Sequence, residues 1–448
     1  MRCHALRALT IGLVLALAAA APAAEPVPLG PCGPIDRPYD SVELTGSQLH
    51  RLGNVPIARL GLLAFHGSHA APIPFQVDER TGGKLALPDG PEPTRDDPSG
   101  VLDADDLLVF MACDAGERGS AAALDETLGA TGSLTAWREL RIEDPVRHAS
   151  GFVYLVVAEH PPTTDRRYVA YEPRGDLVRA ARYRVGLVHA LPTYFALAPQ
   201  GSPGPNLIDG LRLRAEATLR ADLMHWTLNE EQGHHELIAW KVGPVRVIRR
   251  SRHQVDLGLG IRLTAGLAHT YFYAQRVFGP GSLKLPFSPG LLFNDIRAFG
   301  GADGRDLRGW RYYSVGTPPQ GFRIDGHTDA AESAFDANGD WFVLAGRDAG
   351  LLFVTRLSEN LANAIPLRLV YRDDAKRPYP PETSPGTVPL VGYEGRGVER
   401  LPRGRYTFQL HVFVLGPYGP GDERRLMGDL DTPLTAAVTA EGPPRSAP

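Results

Sequence analysis

A strict two-residue alternation of apolar and polar residues runs from Leu211 to Arg220. Its apolar positions are Leu211, Leu213, Ala215, Ala217 and Leu219. Because successive side chains of a β-strand point to opposite faces, this period predicts a strand with one buried face and one solvent-facing face. A helix would scatter the same apolar residues around its axis, so the pattern excludes a surface helix here.

Further strand-like runs follow along the chain. A last strong one places five apolar side chains on one face: Tyr406, Phe408, Leu410, Val412 and Val414. The 49 glycines and 40 prolines supply many turns and disfavour long helices. We therefore predict an all-β fold, namely an antiparallel β-sandwich or supersandwich with a smaller N-terminal β module.

Turn-rich and Pro-rich stretches mark the boundaries of the predicted segments. The segments are a signal peptide at 1–23, an N-terminal β module at 24–135, a large antiparallel β-sandwich at 136–375, a Pro-rich linker at 376–390, C-terminal strands that complete the sandwich at 391–440, and a disordered tail at 441–448.

The first residues have the pattern of a cleavable secretory signal peptide. Arg2 and Arg7 provide a positively charged start. An uncharged apolar run follows from Ala8 to Ala21, and Ala21-Pro22-Ala23 supplies small residues for cleavage. The run is shorter than the ~20 residues of a bilayer span, although an uncleaved membrane anchor is the alternative. We therefore expect a periplasmic or extracellular protein with no transmembrane segment after signal removal.

Three cysteines occur, and Cys3 lies inside the predicted signal peptide. In an oxidising compartment Cys32 and Cys113 are expected to form a disulfide; the alternative is two separate buried thiols. The sequence has no Cys-x-x-Cys-His motif and no phosphate-binding or dinucleotide fingerprint, so we predict no haem c and no nucleotide cofactor. The net charge of −4 argues against non-specific nucleic-acid binding.

An acidic segment around Gly100 has the oxygen-rich composition of a calcium-binding loop. Alignment on this glycine puts four oxygen ligands at suitable positions: Asp97, Ser99, Asp103 and Asp106. The segment departs from the usual pattern, because Arg95 falls at the first ligand position and an aspartate replaces the terminal glutamate. The alternative is a solvent-exposed loop whose aspartates cap turns.

A second, shorter segment offers Asp336, Asn338 and Asp340 around an Asn-Gly pair. These residues resemble a fragment of a calcium loop, but Asn-Gly flanked by aspartates is also a common turn. Calcium is thus the cofactor that the sequence predicts.

Histidines provide one group of candidate catalytic residues. The segment 229–236 combines acidic residues with His234 and His235, and His253 follows on the next predicted strand. Histidine and glutamate together can perform general acid–base chemistry. The alternative is a solvent-exposed loop.

A second candidate group lies on two predicted strands. His269, Tyr271 and Tyr273 share a face of one strand, and Arg250 and Arg252 share a face of an earlier one. Such a surface can stack sugar rings and pair with carboxylates, and it suits β-elimination on an acidic polysaccharide. The alternative is a sheet face packed on a neighbouring domain. No Gly-x-Ser-x-Gly nucleophile motif is present.

Short motifs resemble two groups of known proteins. Residues 73–79, Ile-Pro-Phe-Gln-Val-Asp-Glu, followed by 102–110, Leu-Asp-Ala-Asp-Asp-Leu-Leu-Val-Phe, resemble exported bacterial β-sandwich proteins of uncharacterised function. Residues 243–247, Gly-Pro-Val-Arg-Val, are similar to the central sheet of galactose-mutarotase-like supersandwich proteins. The resemblance implies large antiparallel sheets with a cleft on one face, often used for carbohydrate. It transfers no functional residue to this sequence.

Two functional hypotheses remain at the level of sequence. In the first, the chain is an exported β-sandwich protein that binds or processes carbohydrate, with a polysaccharide as ligand. This hypothesis predicts a groove that joins His269, Tyr271 and Tyr273 to an arginine and to His234 or His235. In the second, the chain is a non-catalytic periplasmic or cell-surface module of a larger protein assembly, with an exposed apolar patch.

Overall fold

The computed structural model describes residues 25–49, 52, 54–120, 122–123, 126–127, 134–199, 201–220, 224–256, 262–376 and 387–442. These residues form mainly antiparallel strands, which confirms the all-β prediction. The predicted signal peptide at 1–23 lies outside the described residues, as do 377–386 of the Pro-rich linker and 443–448 of the tail. No helix in the described ranges combines the length and apolar character needed to cross a lipid bilayer.

Two sheets packed face to face form a first sandwich, with strands numbered in chain order. Its three-stranded sheet has the order β1 (Ser41–Thr45), β9 (Leu107–Met111), β5 (Phe75–Asp78). Its five-stranded sheet has the order β30 (Thr435–Gly442), β10 (Leu134–Asp144), β11 (Ala149–Ala158), β3 (Leu60–His66), β4 (His69–Pro72). Leu44 and Phe110 from one sheet and Leu62 and Ile142 from the other share one buried core.

Two short strand pairs border this sandwich. They are β2 (Val55–Pro56) with β8 (Val101–Leu102), and β6 (Arg80–Thr81) with β7 (Lys84–Leu85).

Three sheets form a second, larger sandwich. Its nine-stranded sheet has the order β18 (Gly233–Val242), β19 (Val247–Asp256), β20 (Arg262–Phe272), β21 (Arg276–Leu285), β29 (Gly404–Leu415), β26 (Gly350–Leu357), β25 (Trp341–Ala345), β23 (Arg311–Ser314), β24 (Phe322–Arg323). A four-stranded sheet has the order β12 (Val169–Glu172), β13 (Leu177–Ala180), β14 (Tyr183–Val188), β15 (Leu191–Leu197). A five-stranded sheet has the order β17 (His225–Leu228), β16 (Ile208–Leu219), β22 (Phe293–Gly304), β28 (Leu390–Arg396), β27 (Leu367–Arg372).

One apolar core joins these three sheets. Val178 and Val185 of the four-stranded sheet, Phe342 and Val414 of the nine-stranded sheet and Val391 of the five-stranded sheet belong to it. The predicted alternating strand is β16, which begins and ends within a few residues of the prediction. Its polar face is not solvent-facing throughout, however, because Arg214 is only 5% exposed.

Helical segments are short. The α-helices whose bounds lie within the described residues are α1 (Ala330–Ser333), α2 (Glu359–Ala362) and α3 (Asp422–Asp431). Single 3₁₀ turns cover Gly46–Leu49, Ile57–Arg59, Ala112–Asp114, Pro173–Gly175, Glu230–Gln232, Pro289–Leu291 and Val398–Arg400.

The two sandwiches share a buried contact layer. The outer face of β9 contributes Leu107, Val109 and Met111, which pack against Val245 and Tyr273 of the larger sandwich. The predicted disulfide between Cys32 and Cys113 is present and ties the N-terminal segment to the end of β9. The three-stranded sheet is therefore the middle layer of the molecule.

The last described strand returns to the first sandwich. The strands at 391–440 were expected to complete the large sandwich; β28 and β29 do so, but β30 pairs with β10 and extends to Gly442. Arg37 is 1% exposed and connects β10 to α3, which precedes β30. It donates hydrogen bonds to the carboxylate of Asp144 on β10 and to the main-chain carbonyl oxygen of Asp429 on α3. The apolar pattern of a strand does not encode its pairing partner, which explains the difference.

Candidate functional site

A surface cleft of about 680 Å³ lies where β18 and β19 meet the β14–β15 turn and the beginning of β16. Its polar lining residues are His189, Thr193, Asp209, Arg212, Glu230, His234, His235, Glu236, Arg252 and Gln254. The larger sandwich alone contributes these residues. The volume of the cleft falls in the range of small-molecule sites, about 300–1,000 Å³.

An ion-pair network fixes one wall of the cleft. Arg212 donates to Glu230 at 3.3 Å and to Asp209 at 3.3 Å, and its third carboxylate partner is Asp303 at 3.3 Å. The buried Arg214 donates to the other carboxylate oxygen of Glu230 at 3.0 Å. Glu230 begins the 3₁₀ turn that leads into β18, so these bonds hold the turn against β16. The polar groups of this wall are therefore positioned before any ligand arrives.

A pair of histidines lies behind the opposite wall. His235 and His253 are direct partners in the β18–β19 register, and their Nδ1 atoms are 2.7 Å apart. The other ring nitrogen of His253 lies 2.7 Å from the hydroxyl oxygen of Ser251. Each contact needs one donor and one acceptor, so the tautomers of the two rings are coupled. The result is a hydrogen-bonded chain from Ser251 through His253 to His235.

The free end of this chain is Nε2 of His235. This atom is buried and makes no hydrogen bond to the described residues. A side chain at Gly233 would place its Cβ 2.2 Å from Nε2, so the glycine makes room for the imidazole. His235 therefore lines the cleft with a ring nitrogen that has no partner among the described residues.

Both imidazoles are neutral at pH 7. Burial, and secondarily the charge of His235, lower the pKa of His253 to about 4. Burial also lowers the pKa of His235, and His234 and His189 add to the shift. A neutral imidazole donates from one nitrogen and accepts at the other, which suits an uncharged polar ligand or the uptake of a proton.

We expect NMR titration to place the midpoints of His253 and His269 near pH 4, where burial puts their pKa values. An exposed histidine titrates near ~6.5. The unfolded chain therefore binds more protons than the folded chain between these pH values, so the free energy of unfolding falls as the pH falls through this window. His253→Gln and His269→Gln variants assign the signals, and midpoints near 6.5 would contradict the buried arrangement.

Two carboxyl groups have the opposite effect on the pH dependence of the free energy of unfolding. Burial raises the pKa of Asp106 and Asp114 to about 6 in the folded chain. Between their unfolded values near ~3.9 and pH 6, the folded chain binds their protons more tightly, so this stabilisation is present at low pH and is lost as the pH rises. Because the histidines and the carboxyl groups have opposite effects on stability, the individual NMR midpoints test these pKa values more directly than the pH dependence of the free energy of unfolding.

Arg250 and His269 lie on the face of β19 and β20 that is opposite to His253. Arg250 and His269 are register partners, and Nε of the arginine donates to Nε2 of the histidine at 2.9 Å. Arg250 also donates to the main-chain oxygen of Leu85 at 2.6 Å, so the N-terminal module covers this face. Burial, and next the charge of Arg250, lower the pKa of His269 to about 4.

Tyr271 and Tyr273 are part of the same covered face. Tyr273 is 4% exposed and accepts a hydrogen bond from Arg246 at 2.6 Å, and the ring of Tyr271 lies 5.0 Å from the same guanidinium group. The groove expected to join these residues to His235 does not form, because His235 lies on the opposite face of the strands with His253, and the face that holds Tyr271 and Tyr273 is packed against the first sandwich. Arg252 does line the cleft, where it pairs with Glu236.

The acidic candidates separate in the structure. Asp336 accepts hydrogen bonds from the main-chain and side-chain nitrogens of Asn338, and Asp340 pairs with Arg356, so this segment is a turn with an ion pair. In the first loop, Asp103 and Asp106 lie together, but Asp97 and Ser99 are exposed and outside their cluster.

Sequence patterns missed part of the cleft. His189 and Asp303 carried no local signal, because only the sheet packing brings the β14–β15 turn with His189 to the cleft and β22 with Asp303 to Arg212. Arg212 and Arg214 are on the polar face of the alternating strand, and the three arginines on that face are the signal that could have indicated carboxylate partners.

The fold and the cleft define an all-β protein of two packed sandwiches with a histidine-lined cleft in the larger one. No protein-family model matches the chain, and no curated protein sequence matches it. Among solved structures it is similar to an alpha-mannosidase from Enterococcus faecalis V583, with 9% identity and a TM-score of 0.45 over 91% of this chain and 45% of that one.

Two further solved structures are similar to the chain. One is a protein in glycosyl hydrolase family 38 from Enterococcus faecalis, with 10% identity and a TM-score of 0.45 over 91% of this chain and 46% of that one. The other is a putative aldose 1-epimerase from Escherichia coli K12, with 10% identity and a TM-score of 0.29 over 56% of this chain and 99% of that one. The chain spans less than half the length of the two Enterococcus proteins.

Proposed function

We propose that the chain is an exported β-sandwich protein that binds carbohydrate in the cleft between β14–β15, β16 and β18–β19. The observation that carries this proposal is the lining of the cleft, where imidazole rings, an amide and paired charged groups surround one space. The proposal does not depend on the covered face that holds Tyr271 and Tyr273.

The polar lining matches the chemistry of sugar hydroxyl groups. Each hydroxyl group both donates and accepts hydrogen bonds, and neighbouring hydroxyls pair well with planar groups such as carboxylate, guanidinium and amide. Asp209, Arg212 and Gln254 provide one group of each kind, and the ion pairs hold two of them in place. A fixed wall reduces the entropy lost when a ligand binds.

An apolar edge completes the cleft. Val188, Leu191 and Pro192 line it beside the β14–β15 turn, and Val188 is 53% exposed. The C–H faces of a sugar ring are apolar, so burying them against such side chains is favourable. Because Arg212 already pairs with carboxylates and both buried imidazoles are neutral at pH 7, the cleft favours an uncharged sugar over a polyanionic one.

A glycan array followed by calorimetry on the best ligand tests the proposal. We expect His235→Gln and Gln254→Ala to weaken binding about tenfold each, because each removes one or two hydrogen bonds to the ligand. His327→Gln is the control, since His327 lies outside the cleft and its side chain is 75% exposed. Circular dichroism verifies that each variant is folded.

The outcomes of this experiment are distinct. If no glycan binds, or if the two cleft variants bind as tightly as the control, the proposal is wrong. Analysis of the incubated ligand by mass spectrometry adds a test of processing, because an imidazole whose Nε2 carries no proton can act as a general base.

A second candidate function is that of a non-catalytic module in a larger protein assembly. The connection between β21 and β22 favours it, because Phe287, Leu291 and Leu292 are 46%, 66% and 46% exposed there. Exposed apolar side chains close in sequence are a common feature of contact surfaces. Capture of a stable partner that Leu291→Ser abolishes, with no glycan bound, would favour this function over the first.

Export remains part of the proposal. The predicted signal peptide at 1–23 would direct the chain to export. The disulfide between Cys32 and Cys113 suits an oxidising compartment such as the periplasm or the cell exterior.

A further inference from the structure

Three carboxylates converge at the edge of the first sandwich, away from the cleft. One oxygen atom from each of Asp96, Asp103 and Asp106 lies within 4.8 Å of the other two. Asp96 is 7% exposed and Asp106 is fully buried. They come from the loop between β7 and β9, next to the β6–β7 hairpin. Three negative groups at this separation repel one another unless a positive group lies between them.

Main-chain donors hold two of the carboxylates in position. Asp106 accepts from the amide nitrogens of Arg80 at 2.8 Å and Asp103 at 2.9 Å, one on each oxygen. Asp103 accepts from the amide of Asp105 at 3.1 Å. These bonds orient the carboxylates but bring no full positive charge, and each oxygen keeps a second lone pair for another partner.

Asp96 gives an independent indication of a ligand. Its Oδ1 accepts a hydrogen bond from the hydroxyl group of Thr81 at 2.6 Å. Its Oδ2 is buried and accepts no hydrogen bond from the described residues. A buried carboxylate oxygen without a partner is costly, and such oxygens are normally paired or bound to a metal ion. An acidic loop that merely capped its own turns would leave this oxygen in solvent.

The electrostatics of the cluster agree with this geometry. Burial, followed by the charges of Asp103 and Asp96, raises the pKa of Asp106 to about 6. Burial also raises the pKa of Asp103, with Asp105 and Asp96 adding to the shift.

We propose that Asp96, Asp103 and Asp106 bind one divalent cation, and that this cation is Ca²⁺. The ligands are all oxygen atoms, which calcium prefers, whereas zinc sites use histidine or cysteine. Main-chain carbonyls and water complete the six to eight ligands that calcium takes. In this proposal Asp96 is a ligand, whereas Asp97 and Ser99, which the sequence alignment puts at ligand positions, are not.

The position of this site gives the cation a structural role. Thr81 and Arg80 belong to the β6–β7 hairpin, so the ion connects that hairpin to the loop that leads into β9. The hairpin ends at Leu85, whose main-chain oxygen accepts from Arg250 of the larger sandwich. Calcium at this site therefore stabilises the part of the first sandwich that covers β19 and β20.

Calorimetric titration of Ca²⁺ into the chelator-stripped full chain at pH 7.5 tests the proposal. We expect one Ca²⁺ per chain, with Asp96→Asn and Asp103→Asn each weakening binding at least tenfold. Asp97→Asn is the matched control, because it removes an adjacent exposed carboxylate that lies outside the cluster. Asp97→Asn should bind as the wild type does.

Thermal unfolding provides the second measurement. Ca²⁺ should raise the midpoint of the wild type and of Asp97→Asn, but not that of Asp96→Asn. If Asp96→Asn does not fold, the same measurement is made on Asp103→Asn, which should fold because Asp103 is only partly buried. Absence of Ca²⁺ binding, equal binding by Asp96→Asn or Asp103→Asn, or binding of Mg²⁺ in place of Ca²⁺ would overturn the assignment. None of these results depends on whether the cleft binds a glycan.

Discussion

Replacing Arg246 with methionine is expected to lower the free energy of unfolding by about 3–5 kcal/mol, the usual cost of leaving a buried charge unpaired. Arg246 is 2% exposed and donates from Nε to Asp78 at 2.8 Å. It also donates to Tyr273 and Glu43. Burial alone would raise the pKa of Asp78, but Arg246, then Lys241 and Gln76, hold it below its ordinary value. Without the guanidinium group, this carboxylate is buried with insufficient compensation.

The control for this experiment is Arg252 on β19, the strand that begins directly after Arg246. Arg252→Met removes an arginine whose side chain is 30% exposed and whose partners Glu92 and Glu236 are more exposed still. Surface pairs contribute less than ~1 kcal/mol, so this variant should unfold almost as the wild type does. Urea denaturation followed by circular dichroism measures both variants.

A double variant distinguishes the ion pair from simple packing. Asp78→Leu combined with Arg246→Met removes both charges, so we expect it to recover much of the stability that the single variant loses. Equal destabilisation by Arg246→Met and Arg252→Met, or no recovery in the double variant, would contradict the role given to Arg246.

Removal of the Cys32–Cys113 disulfide is expected to cost about 4 kcal/mol in the chain-entropy description of cross-links. The two cysteines are 81 residues apart, so the bond closes a long loop and strongly restricts the unfolded chain. It also anchors the N-terminal segment that carries Arg37, the residue that holds β10 and α3 together. The Cys32→Ala/Cys113→Ala double variant should therefore unfold at a much lower urea concentration.

Reduction of the wild type provides the comparison without any change of side chains. Thiol titration establishes that the bond is open, and the urea midpoint of the reduced protein should then approach that of the double alanine variant. A reduced wild type that keeps the midpoint of the oxidised protein would show that the cross-link contributes little to stability.

The fold class could be predicted from sequence because strand periodicity is local. The alternation from Leu211 to Arg220 needed no knowledge of other segments to indicate β16. Which sheet a strand joins depends on distant partners, and that information is absent from its own pattern. For this reason β30 was assigned to the wrong sandwich, and Arg214 was expected in solvent although it is buried against Glu230.

The candidate site was predictable only by residue type. His235 and His253 meet because the β18–β19 register pairs them directly after an irregularity between Leu237 and Ala239. A slip of one residue would turn one of the two rings to the other face of the sheet. The same limit applies to Asp96 and Asp97, because these adjacent loop residues differ in burial through the packing of the hairpin at Thr81, which the local sequence does not reveal.

The pairing of β30 with β10 also sets an order of events during synthesis. Thr439 donates to Glu139, which lies 300 residues earlier in the chain. At about 5–20 residues per second, roughly 15–60 s pass between the synthesis of these two residues. Throughout that interval β10 presents an open strand edge, a template for unwanted pairing with other chains. The module that is made first is thus completed last, so a chaperone that shields this edge would improve the yield of folded protein.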